Sequence, residues 1–249
     1  MIQLPLTILL VALSHPAWAA IANLGSQSAT ATECTNCDSL ALAYPGSVTA
    51  NNLLVVGGSA YDTAGTTGYT VTDSVGTSYT VFTCTALTGT PNATPFIAVG
   101  VAGGSGANTV TVNPTVDNSA NQLVFGIGEF SGTATSSILD VNGGSSTGSS
   151  TTPSDSLTTT TANALILGVV GFQSAAAVTP GGSYAQITED QSALDGFNLA
   201  YRVATSATSY TVDWTLGSSQ PWSACTVAIK ELGGGGGGSI NFMMRKRVP

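Results

Sequence analysis

The sequence predicts an all-β fold, a sandwich of about ten strands built from two related halves. Three observations point there. The 249 residues include 36 Thr but only 5 Lys plus Arg and 13 Asp plus Glu, a balance that suits β-branched strands and starves helix surfaces of their usual charges. Apolar runs alternate with Gly, Asn, Ser and Thr turns along the whole body, and the pattern then repeats itself. The 43% hydrophobic content and 30 Gly exclude coiled coils and wholesale disorder, and the net charge of −8 excludes a basic nucleic-acid binder.

Taken in order, residues Leu4 to Leu13 form an apolar run too short to span a bilayer, followed by small residues in Ala17-Trp18-Ala19. That is the layout of a secretory signal peptide, here 1–19, whose n-region lacks Lys and Arg. It predicts a secreted or extracellular-surface protein. An N-terminal segment, 20–34, precedes the sandwich, 35–232, and its stretch Ala20 to Thr32 is expected to pair with a neighbour's sheet. Six glycines, 233–238, read as a linker to the tail 239–249. Every Asp and Glu lies at or before Glu231, whereas the tail carries Arg245, Lys246 and Arg247, which suit contact with an anionic surface.

Within the body, Thr49-Ala50-Asn51-Asn52-Leu53-Leu54 returns as Ser119-Ala120-Asn121-Gln122-Leu123-Val124 and as Thr161-Ala162-Asn163-Ala164-Leu165-Ile166. Each is a polar Asn turn delivering the chain into a buried strand. Longer matches pair Ser78-Tyr79 with Ser183-Tyr184, Phe96 with Phe197, Thr109 with Ser209, Leu123 with Cys225 and Glu129 with Glu231. The halves fall at about 42–132 and 157–232, with 142–156, nearly all Gly, Ser and Thr, as an exposed, mobile linker. Each half is small and poor in aromatics, so one shared sandwich is expected.

Three stretches resemble a family of jelly-roll-like β-sandwich domains of unassigned function, found in secreted bacterial surface proteins and tailed-phage virion proteins. They are Pro45-Gly46-Ser47-Val48-Thr49-Ala50 leading into Leu53-Leu54-Val55-Val56, the turn Asp73-Ser74-Val75-Gly76-Thr77-Ser78-Tyr79, and the strand end Glu129-Phe130-Ser131-Gly132. The resemblance covers most of 42–232. It implies a surface-exposed, jelly-roll-like sandwich that accompanies adhesive or glycan-binding modules, and it assigns no catalytic residue.

Chemistry is largely excluded. The single histidine, His15, lies in the predicted leader, which removes histidine bases and histidine metal ligands from the body. No nucleophile elbow, phosphate loop or dinucleotide fingerprint occurs. A carboxylate-based glycan-cleaving enzyme would draw on Glu129 or Glu231, with Asp140 and Glu189 behind them, but no two acids share one strand face at the needed spacing. Cys34, Cys37, Cys84 and Cys225 read as disulfides in a secreted chain. Of three connectivities, Cys34 with Cys37 and Cys84 with Cys225 is favoured, because Cys84 and Cys225 run in phase with Phe82 and Val227; crossed pairing would staple the N-terminal segment to the body instead.

No cofactor is expected; the loop Glu189, Asp190, Asp195 is a weak calcium candidate, its bland alternative being a solvated acidic loop. Trp214, Trp222 and Tyr201 form the candidate sugar-stacking platform if their faces meet solvent. The expected role is a non-catalytic structural or adhesive surface protein, on a cell, matrix or virion and capable of self-association. A carbohydrate-binding module is the alternative and a glycan-cleaving enzyme the weaker one.

Overall fold

The structure is a computed structural model that describes residues 20–25, 29–34, 38–62, 66–87, 92–115, 122–174, 176–191 and 195–233. The predicted leader, the tail and the side-chain pairing of Cys34 with Cys37 lie outside the described residues. The fold is all-β. Its first half comprises β1 (Ala22–Asn23), β2 (Ala29–Cys34), β3 (Leu40–Val48), β4 (Leu53–Asp62), β5 (Gly68–Asp73), β6 (Thr80–Thr83), β7 (Asn92–Val101), β8 (Gly106–Thr115) and β9 (Gln122–Ser131). The second comprises β10 (Leu139–Ser150), β11 (Ser154–Thr158), β12 (Leu165–Gln173), β13 (Val178–Pro180), β14 (Ala185–Asp190), β15 (Asp195–Val203), β16 (Ser209–Leu216) and β17 (Gln220–Ile229).

The duplication is visible strand for strand. In the first half a large sheet runs β1-β9-β4-β7-β6, with β2 also on β9, and a small sheet runs β3-β8-β5. In the second the large sheet runs β10-β17-β12-β15-β14 and the small one β11-β16-β13. All pairings are antiparallel. The repeated Asn turns share a backbone conformation as well: Asn51 and Asn163 both lie in the left-handed region, at φ 69° and 59°, which Asn tolerates better than most side chains.

Three apolar layers hold four sheets together. Leu54, Val56, Phe96, Phe125, Val110 and Val112 fill the space between the first small and large sheets. Ile166, Val170, Phe172, Val212, Trp214 and Trp222 do the same in the second half. Between the two large sheets, Leu53, Val55, Ile97, Val99 and Phe130 meet Leu167, Val169, Phe197, Leu199 and Val227. Strands of the large sheets are therefore buried on both faces and read as unbroken apolar runs, whereas β16 alternates strictly between exposed and buried. Glycines let the large sheets close: a Cβ on Gly57 would sit 2.6 Å from a Leu199 methyl, and one on Gly171 2.5 Å from the Pro95 ring.

The all-β sandwich of two related halves is as expected, and two details are corrected. Among the described residues it comprises seventeen strands in four sheets rather than about ten strands, because the apolar runs demand cover on two faces. Residues 142–150, expected in the linker, belong to β10, and 154–156 to β11; pairing with β17 and β16 supplies the order that their composition does not. Within the chain, strands β1 and β2 of the N-terminal segment pair with β9, in the place that β10 fills beside β17.

A hydroxyl-lined cleft at the seam between the halves

After β9 the chain crosses from one half to the other through residues 132–138. Gly132 turns at φ 77°, and the segment is then bound along the end of β17. The Ala134 N–H donates to the Lys230 carbonyl at 2.9 Å, the Lys230 N–H to the Ile138 carbonyl at 2.8 Å, and the Leu232 N–H to the Gly132 carbonyl at 2.8 Å. Ile138 turns inward against the shared core. Ser137 is held at φ 46°, a conformation costly for a residue with a Cβ and one that recurs where side chains face a ligand.

Beside this crossover an open cleft of about 530 Å³ lies between the first half and the last strand. Ser78, Thr80, Ser136 and Ser137 offer hydroxyls, Val101 and Leu139 offer apolar walls, and Lys230 offers a cation. The Lys230 ammonium donates to the Ser137 carbonyl at 3.2 Å and keeps further N–H donors. A smaller depression of about 280 Å³ shares Ser136, Ser137 and Lys230. The arrangement can bind and orient a hydroxylated ligand; its larger cleft has no carboxylate in its lining and so no acid and base pair. Sequence reasoning missed this site. Its one signal was Lys230, which with Arg202 makes up all the basic side chains ahead of the tail.

The other cation is already engaged. The Arg202 guanidinium lies 5.8 Å and 5.2 Å from the ring centres of Tyr184 and Tyr210.

The expected aromatic platform is not assembled. Trp214 and Trp222 are buried in the layer between the second half's sheets, where Trp214 Nε1 donates to Asn198 Oδ1 and Trp222 Nε1 to Ser150 Oγ, each at 3.0 Å. Tyr201 packs on the opposite side of that large sheet, edge-on to Phe130 with centroids 5.0 Å apart. Thin layers need the volume of indoles inside, so these rings fill the core instead of stacking on a sugar.

The carboxylates separate in the same way. Glu129 has no exposed surface; its Oε1 accepts from the Thr49 N–H at 2.9 Å and from Asn52 Nδ2 at 2.5 Å. It sits mid-sheet rather than as a strand-terminal charge. Strand pairing gives its counterpart as Ala228, not Glu231, which lies beyond β17 and accepts from Asn163 at 3.0 Å. Asp140 accepts from the Thr160 N–H at 2.8 Å and from its hydroxyl. Glu189 and Asp190 end β14, while Asp195 opens β15 and is fully buried. Among the described residues no group of three or more His, Cys, Asp or Glu gathers to hold a metal.

The turn motif is structural: Asp73 accepts from the Thr77 N–H at 2.9 Å, Asn108 Nδ2 at 3.0 Å and the Tyr79 hydroxyl at 3.1 Å. Cys84, just past β6, is bonded to Cys225 of β17. No family model matches the chain, no curated protein matches its sequence, and no solved structure matches its fold.

Proposed function

We propose that the protein is a non-catalytic structural or adhesive component of an exterior surface, on a cell, a matrix or a virion. The Cys84–Cys225 disulfide between the halves carries this reading, because such bonds persist where the environment is oxidising. The strand order supports the narrower jelly-roll assignment in each half, with one strand, β6 or β14, transferred to the large sheet. Outer faces rich in Thr, Ser and Asn and buried carboxylates fit a scaffold better than a catalyst.

The test is compartment and redox state. Expressed with its leader in a secreting host, the full chain is expected outside the cell, shortened after Ala19, with Cys84 joined to Cys225 in peptide mass spectra. Retention in the cytoplasm with free thiols would overturn the proposal.

Glycan binding is the second reading, moved from the indoles to the seam. Hydroxyl side chains and one ammonium suit a sugar bearing a carboxylate. On a glycan array the full chain is expected to retain acidic sugars and to lose them with Lys230→Gln; equal binding by both proteins, or none by either, removes this reading.

A further inference from the structure

The edge strands of the described residues are guarded, with one exception. A free edge exposes unpaired N–H and C=O groups, and proteins blunt it with brevity, bulges, proline or charge. On the large sheets β1 and β6 have two and four residues, β2 shifts register between Ala29 and Thr32, and β14 shifts between Gln186 and Thr188 and ends in Glu189 and Asp190. On the small sheets β3 carries Pro45 with a shift between Ala43 and Ser47, and β13 is three residues ending in Pro180. Of the remaining two, β5 closes on Asp73 and β11 is five residues with Asp155 turned inward.

β10 shifts register twice near its start, between Leu139 and Val141 and between Asn142 and Gly144, but the seven residues from Gly144 to Ser150 that follow carry none of these devices. They keep unbroken register with Thr226 to Gln220 of β17, and the run Gly-Ser-Ser-Thr-Gly-Ser-Ser has no charge and no proline. It is also rigidly presented: Ser146 Oγ donates to Asp155 at 2.6 Å, Ser150 Oγ accepts from Trp222, and the Trp222 ring covers Gly148.

We infer that this edge is the docking surface for a second copy of the chain, joined through antiparallel β10–β10 pairing about a two-fold axis at Thr147. The sequence suits its own reverse. With Thr147 opposite itself, Ser146 meets Gly148, Ser145 meets Ser149 and Gly144 meets Ser150, so no bulky pair and no charge stands opposite another. The strongly acidic body repels its copies elsewhere, and this neutral run is where two can approach. The two large sheets of the second halves then become one continuous sheet, and the guarded remaining edges stop association at two. This inference deepens the structural role proposed above and names its partner.

The test is sedimentation equilibrium of the full chain with paired charge variants. Thr147 is exposed, so Thr147→Lys and Thr147→Glu should fold with unchanged unfolding midpoints. Each alone places like charges across the axis and is expected to weaken dimerisation at least tenfold; mixed in equal amounts they are expected to dimerise again. A wild-type chain that stays monomeric, growth past the dimer, or variants that dimerise like the wild type would overturn the inference. The compartment assay of the proposed function is independent of all three outcomes.

Discussion

Cys84 and Cys225 stand 141 residues apart in sequence and 5.5 Å apart between Cα atoms, tied by a disulfide that spans the two halves. Around it the Ser223 hydroxyl donates to the Thr85 carbonyl at 2.6 Å, and the Thr85 N–H donates to Ser145 Oγ at 3.1 Å. The covalent bond and these hydrogen bonds clamp the β6–β7 connection of the first half onto β17 and β10 of the second.

Breaking that clamp is expected to cost about 2–5 kcal/mol, the range for a bond closing a long loop. The Cys84→Ser, Cys225→Ser double variant isolates the effect from any reagent. Guanidinium unfolding should show its midpoint falling while the folded fluorescence spectrum is unchanged. An unchanged midpoint would mean that the shared core alone sets the stability of the join.

Asp195 gives the stability a pH dependence. Burial pushes its carboxyl pKa well above the usual range, nearby Asp190 pushes it further, and the hydrogen bond with Ser59 draws it partly back. The folded protein thus holds a proton that the unfolded chain releases near pH 4. The stabilisation is complete below that pH and is lost as pH rises through the folded-state pKa. Asp73 acts in the opposite sense: burial raises its pKa, but the bonds from Thr77, Asn108 and Tyr79 lower it more, so its contribution is present above about pH 4 and fades on acidification. Urea midpoints measured from about pH 4 to pH 9 should fall for the wild type and flatten for Asp195→Asn. A parallel decline in both would assign the slope to another group.

How far the sequence carried these conclusions depends on the residue. The Asn turns at Asn51 and Asn163 were legible because a left-handed residue leaves a compositional mark. Register was not. Matching Phe96 to Phe197 aligns two rings that point into different layers, Phe96 between the sheets of its own half and Phe197 into the shared core. A slip of one residue exchanges the faces of a strand, and apolar runs buried on both sides give no alternation to detect it. Those same runs, from Leu53 to Val56 and from Leu165 to Val170, were the signal for cover on two faces and so for four sheets. The strand at 142–150 was illegible because Gly, Ser and Thr carry no pattern; only pairing with β17 orders it. The seam cleft was equally hidden, since Ser78 and Lys230 meet through topology alone.

Close approach of the large sheets makes Gly57 intolerant of even one methyl. A Cβ there would lie 2.6 Å and 3.0 Å from the two Leu199 methyl groups, so Gly57→Ala is expected to cost about 1–3 kcal/mol as Leu199 is forced from its rotamer. Gly182, with nothing within 4 Å of its Cβ position, is the matched control, and Gly182→Ala should be neutral or gain about 0.4–1 kcal/mol. Thermal unfolding of the two variants checks the contrast. Equal losses would show that the gap between the sheets relaxes.

Trp214 tests whether the indoles serve the core. Its ring fills the layer beside Gly168, and its Nε1 donor satisfies Asn198 Oδ1, itself fully buried. Trp214→Phe keeps an aromatic but removes that donor, so the variant should lose about 1–3 kcal/mol for the orphaned carbonyl, beyond the lost volume. Adding Asn198→Leu removes the stranded acceptor and is expected to recover part of the loss, because Gln186, the other partner of Asn198, is exposed and can turn to water. Glycan retention by the folded Trp214→Phe protein should equal that of the wild type. Lost retention at full stability would instead return the indole to the ligand site, since a side chain that only packs can change binding only through the fold.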